Sequence, residues 1–97
     1  MSISHGLDKM HLAVVTLVGP GALQVRLSNA LNNHLLHISV HEDVPEAARD
    51  EFLELFNALK GSTTKNSNPS ELEAEHLAQR IVGLDEKMRG LANAHKH

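Results

Sequence analysis

Residues 69–94 read PSELEAEHLAQRIVGLDEKMRGLANA, and their spacing decides the fold class. Leu77, Ile81, Leu84, Met88 and Leu91 recur at intervals of four and three, the seam of a helix that packs against other helices. A helix is predicted from Pro69 to Ala94. Asn68 serves as its cap, and Glu71 and Glu73 face the positive end of its dipole. At 1.5 Å per residue it reaches roughly 35–39 Å, against about 18 Å for the first helix of the chain. Gly83 and Gly90 each weaken it by up to about 1 kcal/mol, so its far end needs packing to persist. The expectation is an overhanging helix that buries Leu84, Met88 and Leu91 on a partner.

Three shorter helices precede it, separated by clear punctuation. Gly19-Pro20-Gly21 is one break, Val44-Pro45 a second, with Asp43 or Val44 as a cap, and GSTTKNSNPS at 61–70 is a polar linker. The third helix runs from Pro45 to Lys60 with Ala48, Phe52, Leu55, Phe56 and Leu59 on one stripe, and Gly61 is read as its stop. The second runs from Gly21 to Ser39. Leu23, Leu27, Leu31, Leu35 and Ile38 form its stripe, while Val25, Leu36 and Val40 point the other way. A helix apolar on two faces is central in a bundle or sits between a bundle and a partner, which makes Leu36 an interface candidate. The first runs from Leu7 to Val18, with Leu7, Met10, Val14, Leu17 and Val18 on one face. A strand over Ala13–Val18 is the alternative, because valines crowd there.

Composition agrees with an all-α chain of a single domain, a small four-helix bundle-like fold with a long C-terminal helix. The chain has 97 residues, which leaves no room for a second core. Leu and Ala dominate the apolar residues, and both are strong helix formers. Cysteine is absent, which excludes a disulfide frame, a thiolate metal site and a cysteine nucleophile. Aromatics make up 2%, too few for a stacking platform for single-stranded nucleic acid. The net charge is -3 with histidine neutral, the wrong sign for neutralising phosphates. The longest apolar run, LAVVTLV at 12–18, falls far short of the ~20 residues of a membrane span. Lys9 before it and Ala22 after it only faintly suggest a secretion signal, and Asp8 and Pro20 argue against one. The expectation is a cytoplasmic protein that binds neither nucleic acid nor membrane.

Eight histidines offer the main chemical possibilities. His34, His37 and His41 are spaced three and four apart and share a side if the second helix extends to His41. His37 and His41 would then clamp a divalent metal, with Glu42 completing the set. The plainer reading places these histidines at a helix C-terminus, where imidazolium suits the dipole. Glu73 and His76 form one Glu-x-x-His pair, whereas a di-iron bundle needs two such pairs. Glu42, Asp43, Glu46, Asp50, Glu51 and Glu54, against a lone Arg49, read as a solvated acidic face. None of them falls on the Phe52/Phe56 stripe, so burial is not expected. No G-x-S-x-G, S-x-x-K or P-loop occurs, and Pro20 removes a backbone donor that a phosphate-binding turn at 19–21 would need. No cofactor and no catalytic residue are predicted.

The stretches GPGALQVRLSNALNNHLLHI at 19–38 and EDVPEAARDEFLELFNALK at 42–60 resemble a pattern in short bacterial proteins of unassigned function. Pro20, Arg26-Leu27, Leu35-Leu36 and Val44-Pro45 carry that resemblance. It implies a bacterial, soluble, helical protein and brings no activity with it.

Three functions compete at this level. The leading one is a non-enzymatic protein–protein interaction module that forms a homodimer through Leu36, Leu84, Met88 and Leu91. The second is a metal-binding or metal-sensing protein using His37, His41 and Glu42. The third is a small regulator that docks a basic partner on the acidic third helix. The closeness of His34, His37 and His41 to those acids predicts that the junction between the second and third helices responds first to acid. The tail histidines, His95 and His97, read as a frayed end.

Overall fold

The computed structural model describes residues 3–63 and 70–94. Among them are five α-helices and no strand: α1 (Ile3–Leu17), α2 (Leu23–Asn33), α3 (Val40–Asp43), α4 (Arg49–Thr63) and α5 (Glu71–Ala94). Two 3₁₀ turns, Leu35–His37 and Glu46–Ala48, flank α3. The all-α class and the long C-terminal helix are as the seam predicts, and Ala13–Leu17 is helical. Asn68, most of the polar linker and the tail histidines lie outside the described residues.

The second predicted helix is broken. It stops at Asn33 instead of reaching Ser39, and the backbone of His34 leaves helical geometry at φ -129°. Asn32 and Asn33 are weak helix formers whose side chains compete for backbone bonds. The break still buries both Leu35 and Ile38, and it lets the chain turn into α3. Asp43 does not cap the following helix; it is the last residue of α3, and Val44 follows as the C-cap of α3. The Asp43 carboxylate reaches back to accept the backbone N–H of Ser39 at 2.8 Å, which satisfies a donor left free at the start of α3. Pro45 opens a 3₁₀ turn closed by Ala48 N–H to its carbonyl at 2.8 Å, so α4 begins only at Arg49. Gly61 does not stop α4, which continues to Thr63. A single helical glycine costs about 1 kcal/mol and does not by itself end a helix. At the start of α5 the cap is Ser70, whose Oγ accepts the Glu73 N–H at 3.1 Å. Ser70-x-x-Glu73 is a legible capping-box signature.

One core joins α1, α2, α4 and α5. It comprises Met10, Ala13 and Leu17, then Leu27, Ala30 and Leu31, then Phe52, Leu55 and Leu59, and the α5 seam Ala74, Leu77, Ile81, Leu84 and Met88. The expected overhang of α5 does not occur. Leu84 and Met88 have no exposed surface and Leu91 packs partly against the core. The length of α5 is shared among α1, α2, α4 and the 3₁₀ turn before α4, all of which contact it. Lys87 also pairs with Glu51 of α4 at 2.9 Å. A long helix needs no partner when several short ones divide its seam.

α1 crosses α3 at Gly6. A Cβ there would overlap the backbone carbonyl of Asp43, coming within 3.0 Å of its carbon. Gly6 is buried, and the missing side chain is what allows the two helices to touch.

Candidate functional site

The helical clamp that the spacing predicts for His37 and His41 is not formed. His37 ends a 3₁₀ turn, His41 lies in α3, and Ile38 and Ser39 between them are extended. His37, His41 and Glu42 are all exposed. Among the described residues, no three His, Asp or Glu side chains converge as metal ligands. Glu73 and His76 lie on the outer surface of α5.

The acidic stretch splits into two environments. Glu42, Glu46, Asp50, Glu51 and Glu54 are exposed, as a solvated face requires. Asp43 is the exception, at 2% exposure. Its carboxylate accepts the Ser39 N–H and meets His5 Nδ1 at 3.0 Å. Burial pushes its pKa up, but the Ser39 and His5 hydrogen bonds outweigh that and hold it below its ordinary value. Arg49 is turned inward. Its Nε donates to the carbonyls of Val40 and Val44 at 3.1 and 3.0 Å, and its Nη2 to that of His41 at 2.9 Å. These are carbonyls at the C-terminal end of α3, where a cation is favoured. Arg26 does the same for α1, donating to the carbonyls of Leu17 and Gly21. Both arginines are structural ties.

Two further side chains each carry a buried polar atom. Asp85 bonds Arg89 Nε through Oδ2 at 3.2 Å, while its Oδ1 is buried without a hydrogen-bond partner. His34 packs its ring against α1, with Nε2 3.1 Å from Thr16 Oγ1 and Nδ1 buried and unpartnered. Burial first, then the positive charges of Lys9 and His37, lower its pKa.

The feature best suited to meet another molecule lies elsewhere. An open groove of ≈ 400 Å³ runs between the C-terminal half of α1 and the middle of α5. Val14, Leu17 and Val18 form one wall, Ala78, Val82 and Gly83 the other, and Gln79 and Glu86 complete the lining. Val18, placed on the core face by its spacing, is 75% exposed. Leu12 and Val15 continue the exposed apolar surface along α1. Gly83 leaves the α5 wall bare of a side chain at that point, and a Cβ there would stand in open space. Of the four residues expected at an interface, Leu36 is exposed, Leu84 and Met88 are spent in the chain's own core, and Leu91 is partly buried. Sequence periodicity missed the groove because it assigns residues to faces of one helix and cannot say which faces two helices leave uncovered between them. No protein-family model, no curated protein and no solved structure matches this chain.

Proposed function

We propose that this protein is a non-enzymatic interaction module that self-associates, as a dimer, through the groove between α1 and α5. The observation that supports this reading is Val18, projecting at 75% exposure beside an apolar groove whose opposite wall is Ala78, Val82 and Gly83. In a two-fold interface the same patch meets itself, so each patch must carry both a projection and a recess. Val18 with Val15 supplies the projection, and the groove between α1 and α5 the recess. The resemblance to short bacterial helical proteins supports a bacterial setting, and the poor fit of residues 12–22 to a secretion signal supports a cytoplasmic one.

Sedimentation equilibrium at micromolar concentration tests this. A mass rising above 10.6 kDa with concentration is expected for the wild type, and a monomer for Val18→Asp. Far-ultraviolet circular dichroism of Val18→Asp is expected to match the wild type, because Val18 is exposed. A wild type that stays at the monomer mass throughout overturns the proposal.

A further inference from the structure

His34 sits where α2 gives way to the 3₁₀ turn. Its backbone N–H still bonds the Ala30 carbonyl at 3.2 Å, and its ring leans on α1. The partner there is Thr16, whose hydroxyl is 2.8 Å from the Leu12 carbonyl. A hydroxyl carries one proton. Thr16 gives it to Leu12, so the 3.1 Å contact with His34 Nε2 must carry the ring's own proton. His34 is therefore the Nε2–H tautomer, and Nδ1 holds a lone pair. That atom is buried and has no hydrogen-bond partner.

A second proton has one place to go, Nδ1, and no acceptor among the described residues stands there. Among the described residues, the charges that act on it are Lys9 on α1 and His37 on the following turn. On α2 the residue under its backbone is Ala30, which carries no charge. Both neighbours oppose a new cation.

We propose that His34 is an acid-labile clasp between α1 and α2, closed while its ring is neutral and opened by proton uptake at Nδ1. Protonation does not itself break the Nε2–H bond to Thr16. It creates an N–H that only water can satisfy, and the ring must swing out to reach water. The cross-link to α1 then goes with it. The lowered pKa of His34 follows from the same geometry. The unfolded chain takes up this proton near pH 6.5 while the folded chain resists it. Stability is therefore full above 6.5 and falls as pH drops through 6.5, levelling off once the folded ring is protonated too. Thr16 lies between groove-lining Val14 and Leu17 on the same helix segment, yet His34 acts this way whether or not the groove takes a second copy.

The test uses the full chain and His34→Gln, whose amide can donate to Thr16 but does not titrate. Two-dimensional ¹⁵N spectra of the imidazoles are expected to show His34 as the Nε2–H tautomer at pH 7.5, with a titration midpoint below 6.5. Urea denaturation at pH 7.5 and 5.5 is expected to show the wild type losing more stability than His34→Gln. The extra change in the unfolding constant is bounded at about tenfold, the protonation ratio of a free histidine one unit below its pKa. Amide exchange in the Thr16–Val18 segment, corrected for intrinsic rates, should accelerate at pH 5.5 in the wild type alone. An Nδ1–H tautomer, a midpoint at or above 6.5, or equal pH dependence in both proteins overturns the proposal. If His34→Gln does not fold, the wild-type tautomer and midpoint decide it.

Discussion

Replacing Gly6 by alanine adds one methyl group at the tightest crossing in the molecule. The added carbon would stand 3.0 Å from the Asp43 carbonyl carbon and 3.2 Å from its Cβ, and would overlap the carbonyl oxygen. Carbon pairs prefer about 3.5–4.0 Å, so these contacts alone part α1 and α3 by about 0.5–1 Å, and the overlapped oxygen makes that the minimum. A gap of that size forfeits roughly a quarter to a half of each dispersion contact it opens. The obstacle is backbone, and Asp43 is also tied to Ser39 and His5, so a side-chain rotation cannot relieve it. Overpacking of this kind costs about 1–3 kcal/mol, and a rigid obstacle places it near 3. Alanine regains about 1 kcal/mol of helix propensity. The net loss is about 2 kcal/mol, near thirtyfold in the unfolding constant. For a chain of this size that lowers Tm by roughly 8–16 °C. Gly90→Ala is the control, because a Cβ there meets nothing within 4 Å. It should stabilise by about 0.5–1 kcal/mol and raise Tm by a few degrees. Thermal melts followed by circular dichroism at 222 nm read both. If Gly6→Ala proves as stable as Gly90→Ala, the account of the α1–α3 crossing is wrong.

Three other perturbations separate the structural roles assigned above. Met88→Ala should cost about 2–5 kcal/mol in urea denaturation, as a large buried side chain does, whereas Leu36→Ala should fall within about 0.5 kcal/mol of the wild type; comparable effects would reopen the question of which residues face a partner. Asp43 holds its proton less tightly in the fold than its ordinary value of 3.8 implies, so it stabilises the protein above that pH and the contribution disappears as pH falls through its folded value. Urea midpoints between pH 5 and 2.5 should therefore drop more steeply for the wild type than for Asp43→Asn, and parallel curves would remove Asp43 from the account. Arg49→Lys keeps the charge but cannot fork onto Val40, His41 and Val44, and should destabilise by about 2 kcal/mol with faster amide exchange around α3; an unchanged melt would mean the three carbonyl contacts are not holding α3 in place.

Much of the fold was legible because helix periodicity is a local property. The interval of four and three from Leu77 to Leu91 predicts α5 and names the residues it buries. The Phe52/Leu55/Leu59 stripe does the same for α4. Local chemistry also left a readable sign at Ser70-x-x-Glu73, which places the true start of α5. The candidate site was much less legible. His37 and His41 looked paired only on the assumption of an unbroken helix, and the break after Asn33 puts them on separate elements. Val18 shares a helical face with Met10 and Leu17, yet α1 ends at Leu17 and leaves Val18 over the groove.

Spacing and propensity by themselves determined an all-α chain, its long last helix and the stripes that fill its core, because those follow from 3.6 residues per turn. Only the tertiary structure decided which polar groups go inside. Asp43 is one carboxylate among many in its stretch, and it is buried because Gly6, remote in sequence, lets α1 close over it. His34 is one histidine of eight, and its tautomer is fixed by a hydroxyl on α1 whose proton is already committed. The seam of α5 looked like an unmet interface until its neighbours divided it among themselves. Such outcomes depend on which surfaces distant segments bring together. No local pattern encodes that, because the free energy of burying a group is set by whatever packs against it.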